Sequence, residues 1–385
     1  MINGGVVDID IASVLTKAKA YLNANEYPEA VTLCKEALKQ LEDCKIGQDT
    51  ENRKLQVLFC LSDICNVSGN WMDGLMYLST VITKASEIGN HDIRNEAIIR
   101  SADILSKMGK WGKALEKYDE AEKSVKEFKN MSLLGRTHLG KGVVFWRQGR
   151  YDEATKYAES ALRMGQDINN LDLIGTASAL KASINFDLRN YRDAIEQNDH
   201  ALNAYKTLNN TIEIARILNN KGEVYKITGE LTKAIDTFKE GLSVLSNSVN
   251  HRSLAYLYTN LAECQIRQGK LLDSQITSKL ARNAVSLSED RYIKAQLSMV
   301  FGLIENRAGN HTTALKYISE AESHMKKLDI PYDLGVIQLE HARILKDTDR
   351  TMASAEYRNA ISSFKKADTQ NMLIMAETEL NGLGF

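Results

Sequence analysis

The chain has 385 residues, 43% of them hydrophobic and 26% charged, and its 49 basic residues are matched by 50 acidic ones. That balance lacks the basic excess of a dedicated duplex-binding protein, and no apolar run is long enough to cross a bilayer. Only two prolines occur, Pro28 and Pro331, so almost the whole chain is free to be helical.

Residues 1–7 read as a flexible N-terminus. Met1-Ile2-Asn3-Gly4-Gly5 lacks the basic stretch and apolar core of a secretory signal. A first helix is expected from Asp8 to Asn23, with a less polar outer side than a good cap would show. The turn Asn25-Glu26-Tyr27 follows, and a second helix leads to a loop with four extra residues around Cys44 to Thr50. Further turns come at Gly69-Asn70-Trp71, Gly109-Lys110-Trp111, Gly149-Arg150-Tyr151, Gly229-Glu230-Leu231, Gly269-Lys270-Leu271 and Gly309-Asn310-His311. The spacing is forty residues, with Arg189-Asn190-Tyr191 in the slot where a glycine is missing and a degenerate ninth turn at Asp349-Arg350-Thr351. Polar joints such as Asn169-Asn170 and Asn209-Asn210 separate the units, and Pro331 falls at the start of a helix, where its missing N–H costs little. The end, residues 367–385, reads as a capping helix (Asn371 to Leu380) and tail.

Two more positions keep step with the turn. Five residues after it stands a small residue: Ala30, Gly74, Ala114, Ala154, Ala194, Ala234, Ser274, Ala314 and Ser354. Seven residues before it stand Ala18, Ser62, Ala102, Gly142, Ala182, Gly222, Ala262, Gly302 and Ala342. A third small position, twelve after the turn, runs from Ala37 to Ala321, with Val81 and Ile361 departing from it. Small side chains at fixed places on two helices let them cross closely. Each unit is therefore a hairpin of helix A, a tight turn and helix B, and a hairpin that cannot bury its own apolar face must stack on neighbours.

This pattern resembles the tetratricopeptide repeat family over residues 8–366, with turns near 25, 69, 109, 149, 189, 229, 269, 309 and 349. The resemblance implies an all-α, right-handed superhelical solenoid of nine repeats. The forty-residue period departs from the standard repeat of about 34 residues, and the proline that often closes the standard unit is absent. Longer repeats of this kind are similar to those of the kinesin light chain, of cell-polarity adaptors and of bacterial peptide-sensing regulators.

Motifs for chemistry are missing. Gly135 to Gly142 fits a phosphate loop until its last residue, where Gly142 replaces the required hydroxyl, and the segment lies inside a helix A. The seven histidines form no H-E-x-x-H pair or local metal cluster, and no serine or cysteine stands in a catalytic signature. Five scattered cysteines, at 34, 44, 60, 65 and 264, suit reduced thiols in a cytoplasmic protein. No enzymatic activity, cofactor or metal is expected.

In the tetratricopeptide family, helix A lines the groove where ligands lie. The resemblance carries this role to Arg100, Asp103, Arg136, Val143, Trp146, Phe186, Arg216, Asn219, Asn220, Glu223, Asn260, Glu263 and Arg267. Leu139, Val143, Trp146, Ala179, Leu180 and Phe186 form an apolar middle. The asparagines can both donate and accept, as a peptide backbone does. Lys107, Arg136 and Arg147 belong to the same lining, which over units three to nine carries a small basic surplus, too slight for a phosphate channel. The function expected is a scaffold or adaptor holding a protein or peptide with an apolar anchor and some acidic character. The alternative is a regulatory sensor whose array changes pitch on binding a short peptide or small ligand. Such sensors usually carry an effector domain, and repeats from about residue 8 to 366 leave no room for one, so a separate effector partner would be required. An uncapped array end would also allow a homodimer. Nucleic acid and membrane insertion are not expected.

Overall fold

The computed structural model describes residues 10–24, 26–42, 47–245, 250–287 and 290–384. The expected N-terminal tail (1–7), Asn25 and Cys44 lie outside them. Among the described residues the fold is an all-α solenoid of nineteen helices with no strand. Eighteen of them pair in chain order. These are α1 (Ile11–Asn23) with α2 (Tyr27–Glu42), α3 (Gln48–Ser68) with α4 (Trp71–Glu87), α5 (His91–Lys107) with α6 (Trp111–Glu127), and α7 (Met131–Arg147) with α8 (Tyr151–Asp167). Next come α9 (Leu171–Asp187) with α10 (Tyr191–Thr207), α11 (Thr211–Ile227) with α12 (Leu231–Val244), and α13 (His251–Arg267) with α14 (Leu271–Ser286). The last pairs are α15 (Arg291–Arg307) with α16 (His311–Lys326) and α17 (Pro331–Leu345) with α18 (Arg350–Lys366); α19 (Gln370–Asn381) follows. The chain divides into two compact units, Met1–Ile217 and Leu218–Phe385.

The two small positions that flank each turn face each other. Ser274 Oγ on α14 donates to the carbonyl of Ala262 on α13 at 2.8 Å. A Cβ added to Gly302 would sit 3.3 Å from the carbonyl of Ala314 and 2.7 Å from the Ile318 side chain. A larger residue there would force the helices apart, at about 1–3 kcal/mol for each misfit. Ala114, Ala154, Ala194, Ala234 and Ala314 are accordingly buried.

The turns need the left-handed region, which glycine enters without penalty. Gly149 has φ +72°, and Arg189, in the slot without glycine, has φ +62°. A second device recurs at the joints between hairpins. The N–H of Ile93, Leu133, Leu173, Glu213 and Ser253 each donates to the side chain of Asn90, Asn130, Asn170, Asn210 or Asn250, at 2.9–3.3 Å. Asp290 caps α15 in the same way. These caps satisfy orphan N–H groups at the starts of α5, α7, α9, α11, α13 and α15.

The ninth hairpin corrects one expectation. Its first helix ends early, at Leu345, and its second begins at Arg350, thirty-nine residues after the start of α16 at His311 and so one residue ahead of the period. Ser354 is buried, as are its neighbour Ala353 and, seven residues on from that, Ala360, so with the register one residue early Ala360 takes the third small position and Ile361 stands beside it. In the second unit α19 packs on α18, with Ala376 buried among Tyr357, Ala360 and Phe364.

Candidate functional site

In the first unit, charged residues of successive A helices form a chain. Arg100 Nη1 donates to both oxygens of Asp63 at 2.8 Å, and its Nε donates to Glu96 at 2.6 Å. Arg136 completes the row by donating to the other Glu96 oxygen. Burial would raise the Glu96 carboxyl, but Arg136 and Arg100 outweigh it and hold its pKa down. Asp103 is different: burial raises its pKa, only partly offset by the Tyr118 hydroxyl that donates to it at 2.5 Å.

Asp103, Arg136 and Val143 line one cavity of about 340 Å³ with Lys107, Leu139 and Arg147. The A helices α5, α7 and α9 supply most of its lining, with Asn66 of α3 and Tyr118 of α6. Arg147 is exposed and makes no salt bridge among the described residues. A second cavity, of about 390 Å³, lies beside Glu96, Arg100 and Arg136. Trp146, Phe186 and Arg216 line neither. The Trp146 indole N–H donates to Asp187 at 2.7 Å, Phe186 sits edge-on to Tyr191, and Arg216 pairs with Glu213 at 2.7 Å.

The second unit gathers Asn219, Glu223, Asn260, Glu263 and Arg267 around a residue the sequence reading left unnamed, Lys226. Its ammonium donates to Asn260 Oδ1 at 2.8 Å and to Glu263 at 2.9 Å. The Asn260 amide donates to Asn219 at 3.0 Å and to Glu223 at 3.2 Å. Asn260 is thus fully engaged inside the protein, and Asn220 stands half-buried beside this network. Burial opposes the Glu263 charge, but Lys226 and Arg267 bring its pKa down to about 2. Glu223 moves the other way, raised by burial despite Lys226. The signal for Lys226 was present: it stands three residues before the turn glycine, as Trp146 does.

Glu322, His341 and Glu356 come within 4.8 Å of one another, a grouping no local sequence spacing suggested. Glu322 is already engaged, because His341 Nδ1 lies 2.6 Å from it and Lys326 pairs with the same carboxylate at 3.1 Å. Lys141 holds the same place in α7 and bridges Asp119 and Glu122. The arrangement is a link between hairpins. The buried Lys141 is the would-be phosphate-loop lysine, inside α7 and bonded to carboxylates.

Residues 99–170 and 139–210 match one family model of the tetratricopeptide repeat, and residues 215–244 match another. Residues 99–210 and 215–244 thus carry tetratricopeptide repeats. No curated protein matches the chain in sequence. Among solved structures, the chain is similar to the apo form of RapI (17% identity, TM-score 0.60), over 94% of this chain and 99% of that one. It is also similar to aspartyl phosphate phosphatase F from Bacillus subtilis (15%, TM-score 0.59), over 94% and 95% of the two chains. A third is the Rap conjugation gene regulator of plasmid pLS20 in complex with the Phr* peptide (14%, TM-score 0.58), over 93% and 96%. At such identities the likeness is one of fold. None of the described helices is long and apolar enough to cross a membrane.

Proposed function

We propose that the chain is a non-catalytic cytoplasmic scaffold that holds a polypeptide segment on its helix A face. The cavity on α5, α7 and α9 carries this reading. Leu139, Val143 and Leu173 offer an apolar floor, and Lys107, Arg136 and Arg147 a cationic rim. Such a site suits an apolar anchor flanked by acidic residues. Arg100, Trp146, Phe186 and Arg216 in the first unit, and Asn219, Asn220 and Asn260 in the second, are further proposed contacts on their own A helices. The neighbour named as a phosphatase shares the fold, and a fold assigns no catalysis.

Phage-displayed random peptides selected on the wild type test the proposal. Acidic residues around an apolar anchor should be enriched. Arg147→Glu, which breaks no internal salt bridge, should weaken the selected peptides about tenfold, or about 1.4 kcal/mol, with unchanged circular dichroism. Unchanged affinity in that variant would remove the site from consideration.

A sensor that repacks its hairpins around a short peptide is the second reading. The neighbour holding the Phr* peptide, matched over 96% of its length, favours it. Hydrogen exchange that slows across α13 to α17, far in sequence from the cavity, would mark a sensor; change confined to α5 to α9 would mark a scaffold. Self-association through an array end is part of the proposal as well, read by sedimentation as a concentration-dependent mass.

A further inference from the structure

Two thiols from adjacent hairpins meet at the first joint. Cys34 on α2 is fully buried, Cys60 on α3 is partly exposed, and the Cys34 thiol donates toward Cys60 Sγ at 3.7 Å. The two sulfurs are in van der Waals contact, held by Leu61, Ile64 and the other apolar side chains of that core. A disulfide needs about 2.0 Å, so the sulfurs must approach by about 1.7 Å from the 3.7 Å contact. Cys60 also has a suitable environment. Its pKa is lowered first by the Cys34 hydrogen bond, with Arg100 and Lys19 assisting against burial and Asp63. The other described thiols lack this combination: burial raises Cys65, and pushes Cys264 up to about 12.

We propose that Cys34 and Cys60 form a redox-active dithiol which a peroxide converts into a disulfide between the first and second hairpins. The Cys60 thiolate attacks the peroxide, its O–O bond breaks, and Cys60 sulfenic acid forms with release of hydroxide. The Cys34 thiol then attacks the sulfenic sulfur, the S–O bond breaks, and the oxygen leaves as water with the Cys34 proton. In sum two thiols are oxidised and one hydroperoxide is reduced, to two waters when the oxidant is hydrogen peroxide. The bond would tie α2 to α3 beside Phe59 and Asp63, the two α3 residues that hold Arg100.

The full chain, reduced and then treated with hydrogen peroxide, provides the test. Non-reducing peptide mapping should find a Cys34–Cys60 link that dithiothreitol reverses. Cys60→Ser should abolish it, whereas Cys44→Ser and Cys65→Ser should retain it. Oxidation should raise the melting temperature of the wild type by roughly 3 °C or more and leave Cys60→Ser unchanged. Links through Cys44 or Cys65 instead, or further oxidation of Cys60 with Cys34 left as a thiol, would overturn the proposal. Should Cys60→Ser fail to fold, dimedone trapping of a Cys60 sulfenic acid in the wild type decides the same point, and absence of the adduct together with absence of the link counts against it.

Discussion

Arg267 Nη1 lies 3.1 Å from Glu340 Oε1, although 73 residues and the whole hairpin of α15 and α16 separate them. The same guanidinium donates through Nε to Glu263 at 2.9 Å, and Glu340 accepts in turn from Arg343 at 3.0 Å. One side chain therefore joins the A helices of the seventh and ninth hairpins. Arg267→Ala removes one of two cationic partners from each of two largely buried carboxylates, leaving Lys226 on Glu263 and Arg343 on Glu340. We expect a loss of about 2–3 kcal/mol in urea unfolding. In a double-mutant cycle with Glu340→Gln, the pair should couple by more than about 0.5 kcal/mol. Additive losses would show the contact to be incidental.

Asn95 is fully buried on α5, and neither its side-chain oxygen nor its nitrogen has a protein hydrogen-bond partner. The same place in later hairpins is held by Gly135, Gly175, Ala215, Ala255, Ala295 and Gly335. Asn95→Ala should therefore raise stability by about 1 kcal/mol, since it removes an unsatisfied polar group from a site built for a small residue. A drop in the denaturation midpoint would mean that the amide is satisfied in solution.

Arg189 occupies a left-handed turn position at φ +62° that glycine fills in most of the other hairpins. Arg189→Gly should stabilise by about 1 kcal/mol, relieving a Cβ clash that outweighs the added freedom of the unfolded chain. Thermal unfolding of the two proteins reads the difference.

Asp333 sits in the first turn of α17, accepting from Gln296 at 2.9 Å and from the Tyr292 hydroxyl at 3.3 Å. Burial pushes its pKa up to about 6, with Lys226 only partly opposing. The unfolded carboxyl ionises near 4, so between about pH 4 and 6 the unfolded state binds fewer protons and the folded state loses stability as pH rises. Asp333→Asn keeps an acceptor and removes the charge. Its stability relative to wild type should be near zero at pH 4 and favourable by about 1–2 kcal/mol at pH 7. A difference that does not change with pH would show that Asp333 titrates normally.

The sequence by itself determined the helical hairpin and its period. Turn residues such as Gly149 and crossing residues such as Ala262 and Ser274 answer to local steric demands, and those demands recur every forty residues, so repetition makes them legible. The Asn90, Asn130 and Asn170 caps recur with the same period, at the polar joints between hairpins. The tertiary structure alone decided which charges meet. Lys226 with Glu263, Arg267 with Glu340, and Glu322 with His341 are set by the rotation of each helix and the distance between hairpins. The same holds for the cavity beside Arg136 and for the contact of Cys34 with Cys60. A repeat period fixes which face a residue occupies. The residue across from it depends on the packing of helices from different hairpins, which the period does not encode.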